Sequence, residues 1–193
     1  MGQPKKRIAV LLSGRGSNFE ALLKACADED YPAEIVAVAS DKPEAFGLKT
    51  AADAGIATAC FKRADYASKA EHEAALLNFL ASIEPDYVCL AGYMRLLSAH
   101  FVGSFENRIL NIHPSLLPKF PGLDTHQRAI YAGESEHGCT VHLVDAGMDT
   151  GPILAQAKVP VLPNDTADDL AARILVEEHK LYAATLKNLI EAE

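Results

Sequence analysis

An asparagine and a histidine stand two residues apart at the end of an apolar, strand-like run, as Asn111 and His113. Residues two apart in a strand share one face, so the two side chains are expected to point the same way. An amide donates hydrogen bonds, and an imidazole holds or releases a proton near neutral pH. Ligands of open α/β sheets bind at the carboxyl ends of strands, so this pair indicates a catalytic or binding site.

A second polar stretch, residues 145–151, lies between two predicted strands and contains Asp149. Such glycine-containing sequences are typical of hairpin turns. If the fold brings Asp149 to His113, the carboxylate will orient the imidazole and favour its charged form. His126 and His142 are further candidates for this cluster, although each is equally compatible with a purely structural hydrogen bond.

The third stretch is Ser13-Gly-Arg-Gly16-Ser17-Asn18, which follows the first predicted strand and precedes a helix. Glycines allow a tight turn, and a helix start presents unpaired N–H groups to an anion. Phe19 occupies the third glycine position of a dinucleotide-binding fingerprint, so a monophosphate is the better interpretation. The alternative is an ordinary strand-to-helix turn.

The elements that must position these residues alternate between strand and helix in the first part of the chain, which predicts a parallel sheet. Strands that are apolar throughout, such as Ile8–Leu12, predict a sheet that is covered on both faces by helices. After His113 the pattern changes to two further strands and a long last helix. The predicted elements include strands at Ile8–Leu12, Glu34–Ala39, Thr58–Phe61, Tyr87–Ala91, Arg108–Ile112, Thr140–Val144 and Ile153–Val161, and helices at about Phe19–Ala27, Lys69–Ile83, Ser98–Gly103, Thr125–Tyr131 and from about Ala167 onward.

The bulk properties predict a single domain over residues 1–193. A net charge of −8 disfavours a nucleic-acid partner, and no apolar run reaches the ~18 residues of a membrane span. The four cysteines are scattered among apolar or small residues, which predicts buried thiols in a reducing cytoplasm. The histidine spacings form no ligand set, so we expect no metal; His72, between two glutamates, is expected on a solvated helix face.

Four segments give the chain a close resemblance to the folate-dependent formyltransferases, over essentially its whole length. The branch it resembles most formylates glycinamide ribonucleotide during purine biosynthesis. These segments are Asn111-Ile-His113-Pro-Ser-Leu-Leu-Pro118, Gly16-Ser17-Asn18, Ala91-Gly-Tyr-Met-Arg-Leu-Leu97 and Asp149-Thr-Gly151-Pro.

The resemblance implies a Rossmann-like fold with a ribonucleotide-binding half, about 1–113, and a second half, about 114–193, that completes a folate cleft. It also implies 10-formyltetrahydrofolate as the co-substrate. We expect a monomer or homodimer, and the sequence does not decide between them. The catalytic trio would be Asn111, His113 and Asp149. The remaining implied site residues are, for the ribonucleotide, Gly16, Ser17, Asn18 and Glu178, and, for the folate, Arg63, Met94, Arg95, Leu96, Leu97 and Val144.

The chain departs from the resemblance at two positions. Asp124 stands where relatives often carry histidine, and Thr140 stands where some carry serine. Both lie outside the catalytic trio, so they concern the detailed substrate contacts. The alternative functions are formylation of a sugar-nucleotide amine and hydrolysis of 10-formyltetrahydrofolate. An acidic chain that ends after its last helix does not favour formylation of a tRNA. A non-catalytic module that binds a nucleotide or folate is the alternative from a different functional class.

Overall fold

A computed structural model describes residues 4–193 of the chain. In this range seven strands form one sheet, and their bounds are β1 Lys6–Leu12, β2 Ala33–Ser40, β3 Ala57–Cys60, β4 Tyr87–Leu90, β5 Ile109–His113, β6 Glu136–Leu143 and β7 Ile153–Pro160. Six α-helices accompany them: α1 Ser17–Cys26, α2 Phe46–Asp53, α3 Lys69–Ile83, α4 Ala99–Ser104, α5 Thr125–Tyr131 and α6 Ala167–Glu191.

The sheet has the strand order β3-β2-β1-β4-β5-β6-β7. The strands β1 to β5 pair in parallel, whereas β6 runs antiparallel to β5 and β7 antiparallel to β6. This confirms the predicted α/β architecture with a mostly parallel sheet. The change from parallel to antiparallel pairing comes directly after His113, where the sequence pattern also changes.

The central strand β1 shows why the sheet is covered on both faces. Its residues Ile8, Val10 and Leu12 belong to one core cluster, and Ala9 and Leu11 belong to the other. The first cluster contains residues of α1 and α6, and the second contains residues of α3 and α4. An apolar residue at every position of β1 from Ile8 to Leu12 therefore serves two cores, as expected for a strand buried on both sides.

Several element boundaries differ from those predicted, and the starts of α1 and β6 have a clear physical reason. Helix α1 begins at Ser17 rather than Phe19, because Gly16 adopts the left-handed conformation (φ 80°) and ends the turn early. Strand β6 begins at Glu136 rather than Thr140, since it pairs with β7 from Glu136 opposite Pro160. Its first residues lack the apolar pattern by which the sequence identifies strands.

The structure also corrects two predictions of burial. Of the four thiols predicted to be buried, Cys89 and Cys139 are buried and Cys26 is half-buried. Cys60 is exposed, because it ends β3, the strand at one edge of the sheet. His72 is buried rather than solvated, and its Nε2 lies 2.8 Å from the carbonyl oxygen of Phe61. Among residues 4–193, none of the helices combines the length and apolar character that a membrane crossing needs.

Candidate active site

Strand pairing brings the first two polar side chains of the site together. Asn111 and His113 lie on β5, and in the antiparallel register with β6 Asn111 stands opposite His142. Asn111 Nδ2 donates to His142 Nε2 over 3.2 Å. His142 Nδ1 donates in turn to the carbonyl oxygen of Leu143 at 2.9 Å, which fixes the tautomer with the proton on Nδ1.

Burial keeps His142 in this neutral form. Its side chain is 2% exposed, and desolvation lowers the pKa of His142 below its usual 6.5, opposed by the Leu143 carbonyl and by the charge of Asp149. A neutral His142 with a free Nε2 lone pair can accept from Asn111. The role of His142, which the sequence left open, is therefore to orient the Asn111 amide.

Asp149 joins the cluster from the turn between β6 and β7. Its carboxylate lies 3.4 Å from His113 Nδ1 and 3.7 Å from His142 Nε2. The backbone N–H of Gly122 donates to Asp149 Oδ2 at 2.9 Å, and the left-handed backbone of Asp149 (φ 56°) turns the side chain inward. We call Asn111, His113, His142 and Asp149 the polar cluster.

Both ring nitrogens of His113 face protein oxygens. Nε2 lies 3.0 Å from the carbonyl oxygen of Phe120, to which it donates, and Nδ1 faces Asp149. A proton that arrives on Nδ1 is therefore shared with the carboxylate. Asn111 keeps a second N–H beyond the one it gives to His142. The cluster can thus offer an amide donor and pass a proton between an imidazole and a carboxylate.

The loop of residues 13–18, which we call the anion seat, lies at the carboxyl end of β1. Gly16 precedes the first helical residue of α1, so the first-turn N–H groups, including those of Ser17 and Asn18, point away from the helix body. A Cβ on Gly16 would lie 3.1 Å from the Cα of Gly47. The close approach of α2 to the loop therefore depends on glycine at position 16, whereas a Cβ on Gly47 would lie 2.5 Å from Leu12 Cδ2 in β1.

A hydrogen bond joins the anion seat to the last helix. Asn18 Nδ2 donates to Glu178 Oε2 at 2.7 Å. Burial raises the pKa of Glu178, while the Asn18 hydrogen bond and the charge of His113 act in the opposite direction. The Asn18–Glu178 hydrogen bond therefore ties the anion seat to α6.

The segment of residues 92–98 follows β4 and contains four of the predicted folate residues. Met94 and Leu96 expose more than half of their side chains, whereas Leu97 is buried in the core cluster that includes α3 and α4. Arg95 Nε lies 2.6 Å from Asp41 Oδ2, although its N–H is not aligned for a hydrogen bond. Apolar side chains beside a cation suit a ligand with an aromatic ring and an anionic group.

The other two predicted folate residues lie in separate elements. Arg63 begins a single 3-10 turn, Arg63–Asp65, and its Nη1 donates to the carbonyl oxygen of Tyr66 at 2.8 Å. Val144 directly follows β6, and its N–H donates to the carbonyl oxygen of Ile109 at 2.9 Å. Within residues 4–193 no group of three or more His, Cys, Asp or Glu side chains is arranged to hold a metal ion.

Sequence reasoning missed Asp41 and the role of Ser13, which it named only as the first residue of the glycine-containing stretch. The Ser13 hydroxyl donates to Asp41 at 2.5 Å and accepts from the Met94 N–H at 2.9 Å. Asp41 is 4% exposed. The only signal in the sequence was a charged residue directly after an apolar strand, which a turn explains equally well.

Comparison with known proteins places this site in a family. The family model described as formyl transferase matches residues 6–186. The phosphoribosylglycinamide formyltransferase of Haemophilus influenzae is 45% identical over 182 residues, which cover 94% of this chain and 86% of that protein. A crystal structure of phosphoribosylglycinamide formyltransferase from Brucella melitensis has 59% sequence identity and a TM-score of 0.93, covering 96% of this chain and 95% of that one.

Longer relatives match as well. The trifunctional purine biosynthetic protein adenosine-3 of Drosophila melanogaster is 47% identical over 98% of this chain, but the chain spans only 14% of that protein's length. The match to the family model covers nearly all of the chain, including the anion seat and the polar cluster. This chain therefore belongs to the formyl transferase family.

Proposed function

We propose that this protein transfers the formyl group of 10-formyltetrahydrofolate to the amine of 5'-phosphoribosylglycinamide, giving formylglycinamide ribonucleotide and tetrahydrofolate. The observation that carries the proposal is the polar cluster, in which Asn111, His113 and Asp149 meet at the carboxyl end of β5. Relatives named phosphoribosylglycinamide formyltransferase, similar over nearly the whole chain, support the choice of substrate.

The reaction needs two things from the protein. When the amine nitrogen bonds to the formyl carbon, negative charge develops on the formyl oxygen and the nitrogen becomes positive. The second N–H of Asn111 is the donor for that oxygen, and His142 holds the amide in position. No bond to the enzyme forms, since the amine itself is the nucleophile.

His113 and Asp149 handle the charge and the proton. Protonated His113 donates to the developing oxyanion after its ring leaves the Phe120 carbonyl, and Asp149 stabilises the imidazolium through Nδ1. The proton lost by the amine is delivered to the folate nitrogen, directly or through water, as the carbon–nitrogen bond to the folate breaks. The protein thereby returns to its starting protonation state.

The anion seat and segment 92–98 hold the two substrates. Gly16, Ser17 and Asn18 bind the ribonucleotide phosphate through backbone N–H groups at the start of α1, and Glu178 accepts from the sugar hydroxyls. Met94, Arg95, Leu96, Leu97 and Val144 form the folate side of the cleft, and Arg63 lies toward the anionic tail. The exposed apolar side chains of Met94 and Leu96 beside the Arg95 cation fit an aromatic folate.

The same cluster could serve a different formyl acceptor, such as a sugar-nucleotide amine, or water in a 10-formyltetrahydrofolate hydrolase. The phosphate-suited anion seat and the named relatives favour the ribonucleotide. A cytoplasmic location, division into two functional halves, and a monomeric or homodimeric state stay predictions of the sequence.

The test is an absorbance assay of folate product formation with 10-formyl-5,8-dideazafolate and glycinamide ribonucleotide. We expect turnover that requires both substrates and that falls on the order of 10²–10³-fold in Asn111→Ala, which lacks the oxyanion donor. Asn78→Ala, at an exposed position of α3, is the matched control and should keep wild-type turnover. Formylation of another amine only, or hydrolysis of the folate alone, would overturn the assignment of substrate.

A further inference from the structure

A buried carboxylate at the end of β2 has no part in the chemistry described above. Asp41 is 4% exposed, directly follows β2 and lies beside the segment of residues 92–98. One oxygen accepts from Ser13 Oγ at 2.5 Å, and the other lies 2.6 Å from Arg95 Nε. A buried carboxylate is costly unless it is paired, so these two contacts account for its place in the fold.

Ser13 extends this network into the backbone of the segment. Its N–H donates to the Gly92 carbonyl oxygen at 3.1 Å, and its hydroxyl oxygen accepts from the Met94 N–H at 2.9 Å. Because Ser13 Oγ donates its only proton to Asp41, its lone pairs are free to face Met94. Asp41 thus fixes both the Arg95 side chain and, through Ser13, the Met94 backbone.

A second buried carboxylate holds the other end of the same segment. Glu73 on α3 accepts from the backbone N–H of Ser98 at 3.0 Å and from the Ser98 hydroxyl. Ser98 caps α4, since its hydroxyl accepts from the Phe101 N–H. Glu73 therefore secures a helix cap, whereas Asp41 contacts residues whose side chains face the proposed folate cleft.

We propose that Asp41 is a positioning residue for the folate co-substrate, which it serves through Arg95 and through Ser13; this inference rests on the proposed function. The Arg95 side chain is 38% exposed, whereas the side chain of Asp41 is 2% exposed. The Nε side of the guanidinium therefore lies against Asp41, and the rest of the group reaches solvent. Within residues 4–193 neither Nη atom of Arg95 makes a hydrogen bond to the protein. Those donors form a fork with the spacing of a carboxylate.

Two effects of Asp41 on an anionic ligand oppose each other. Its negative charge weakens the pull of Arg95 on an anion, and its contact with Nε removes the freedom of the long arginine side chain. Orientation dominates in this geometry, because Arg95 Nε lies 2.6 Å from a buried carboxylate whose other oxygen is fixed by the Ser13 hydroxyl, so the guanidinium is held in one direction. Asp41 therefore strengthens folate binding on balance.

The first variant is Asp41→Asn, which keeps an acceptor for Ser13 but removes the charge beside Arg95. We expect the dissociation constant of 10-formyl-5,8-dideazafolate, measured by fluorescence titration, to rise on the order of tenfold. The KM of the ribonucleotide and kcat at saturating folate should stay within about twofold, since Asp41 contacts neither the polar cluster nor the proposed phosphate-binding residues Gly16, Ser17 and Asn18. Ser13→Ala, which loses the Met94 acceptor, should raise the folate constant as well.

A double-mutant cycle separates positioning from general loosening of the fold. If Asp41 acts through Arg95, Asp41→Asn should have much less effect on folate binding in an Arg95→Ala background. Glu73→Gln is the matched control, because it alters the other buried carboxylate of the segment and should show additive behaviour with Arg95→Ala. Thermal unfolding of every variant shows whether a loss of binding merely follows a loss of fold.

Unchanged or tighter folate binding in Asp41→Asn would overturn the inference; tighter binding would mean that Asp41 competes with the ligand for Arg95. Full additivity of Asp41→Asn with Arg95→Ala would also overturn it. The proposed function fails separately, through absence of formyl transfer to the ribonucleotide in the wild-type protein. Direct titration of the folate analogue keeps the two failures distinct.

Discussion

The anion seat and the polar cluster lie at the carboxyl ends of two strands of the same sheet, but they are built from different parts of the chain. The seat, after β1, consists of backbone N–H groups at the start of α1 and depends on Gly16 in a left-handed conformation. The cluster, after β5, consists of side chains that contact one another from three elements. One site is therefore made by the path of the backbone, and the other by side-chain chemistry.

This difference determines which changes each region tolerates. The anion seat uses backbone N–H donors, which are present whatever the side chains are. It is therefore damaged mainly by added atoms that prevent the backbone from adopting its conformation. A side-chain-built cluster is damaged by removed atoms, because each polar group is satisfied by the next. Substitutions in the two regions should therefore change different kinetic constants.

The largest effect is expected for His113→Ala. The change removes both the donor for the oxyanion and the partner of Asp149, so turnover should fall on the order of 10²–10³-fold while the KM of the ribonucleotide changes little. The measurement is the steady-state absorbance assay with both substrates varied. His100→Ala, at an exposed position of α4, is the control.

A His113→Ala protein with wild-type kcat would contradict the assignment of the cluster as the catalytic centre. If only the ribonucleotide KM rose, the polar cluster would act in substrate binding, which is the role that we assign to the anion seat. The expected fall in kcat alone separates the two regions.

The second prediction adds a single methyl group to the seat, in Gly16→Ala. Residue 16 has φ 80°, and its Cβ would lie 3.1 Å from the Gly47 Cα, so the loop must shift. We expect the ribonucleotide KM to rise on the order of tenfold, with kcat nearly unchanged, because strain of about 1 kcal/mol or more displaces the donors. Gly14→Ala is the matched control, since a Cβ there meets no atom within 4 Å.

Equal effects of Gly16→Ala and Gly14→Ala would show that the loop tolerates added atoms generally, and would remove the contrast. If the folate KM rose more than the ribonucleotide KM in Gly16→Ala, the assignment of the anion seat to the ribonucleotide would be wrong. Both constants come from the same assay as for His113→Ala.

Much of the fold could be predicted from the sequence, because the strands carry a strong local signal. Helix α3 has the predicted bounds, Lys69–Ile83, and β1 was recognised from its continuous apolar run. The polar residues Asn111 and His113 were placed correctly at the end of β5, since a period of two and a strand end are local properties.

What could not be predicted depends on contacts between distant parts of the chain. His142 meets Asn111 only through the register of β6, and Asp41 meets Arg95 only because β2 and the segment after β4 flank β1. His72, flanked by glutamates, was wrongly expected to be solvated, because its partner is a carbonyl eleven residues away in sequence. Local patterns carry no information on such pairings.

The smallest expected effect is a loss of folding stability at acid pH that is caused by a buried histidine beside the polar cluster. It tests whether the region built from side chains is weakened by acid. His137 is 1% exposed and packs edge-on against Phe120 and His126. Burial lowers the pKa of His137 from its usual 6.5 to about 4. Below pH 6.5 the imidazole of residue 137 binds a proton in the unfolded chain but stays neutral in the folded chain. The folding stability therefore falls as the pH drops from 6.5 to about 4.

For this histidine we expect a loss of about 1 kcal/mol between about pH 7.5 and pH 5, half of what the full shift would give, because nearby polar groups screen the charge. The measurement is urea unfolding of the wild-type protein and of His137→Asn at both pH values. The variant should be less stable at both, but its stability should decline by about 1 kcal/mol less than that of the wild type. An equal decline in the free energy of unfolding of the two proteins would mean that acid destabilises the fold through groups other than His137. The buried imidazole would then not make the polar cluster more sensitive to acid than the anion seat.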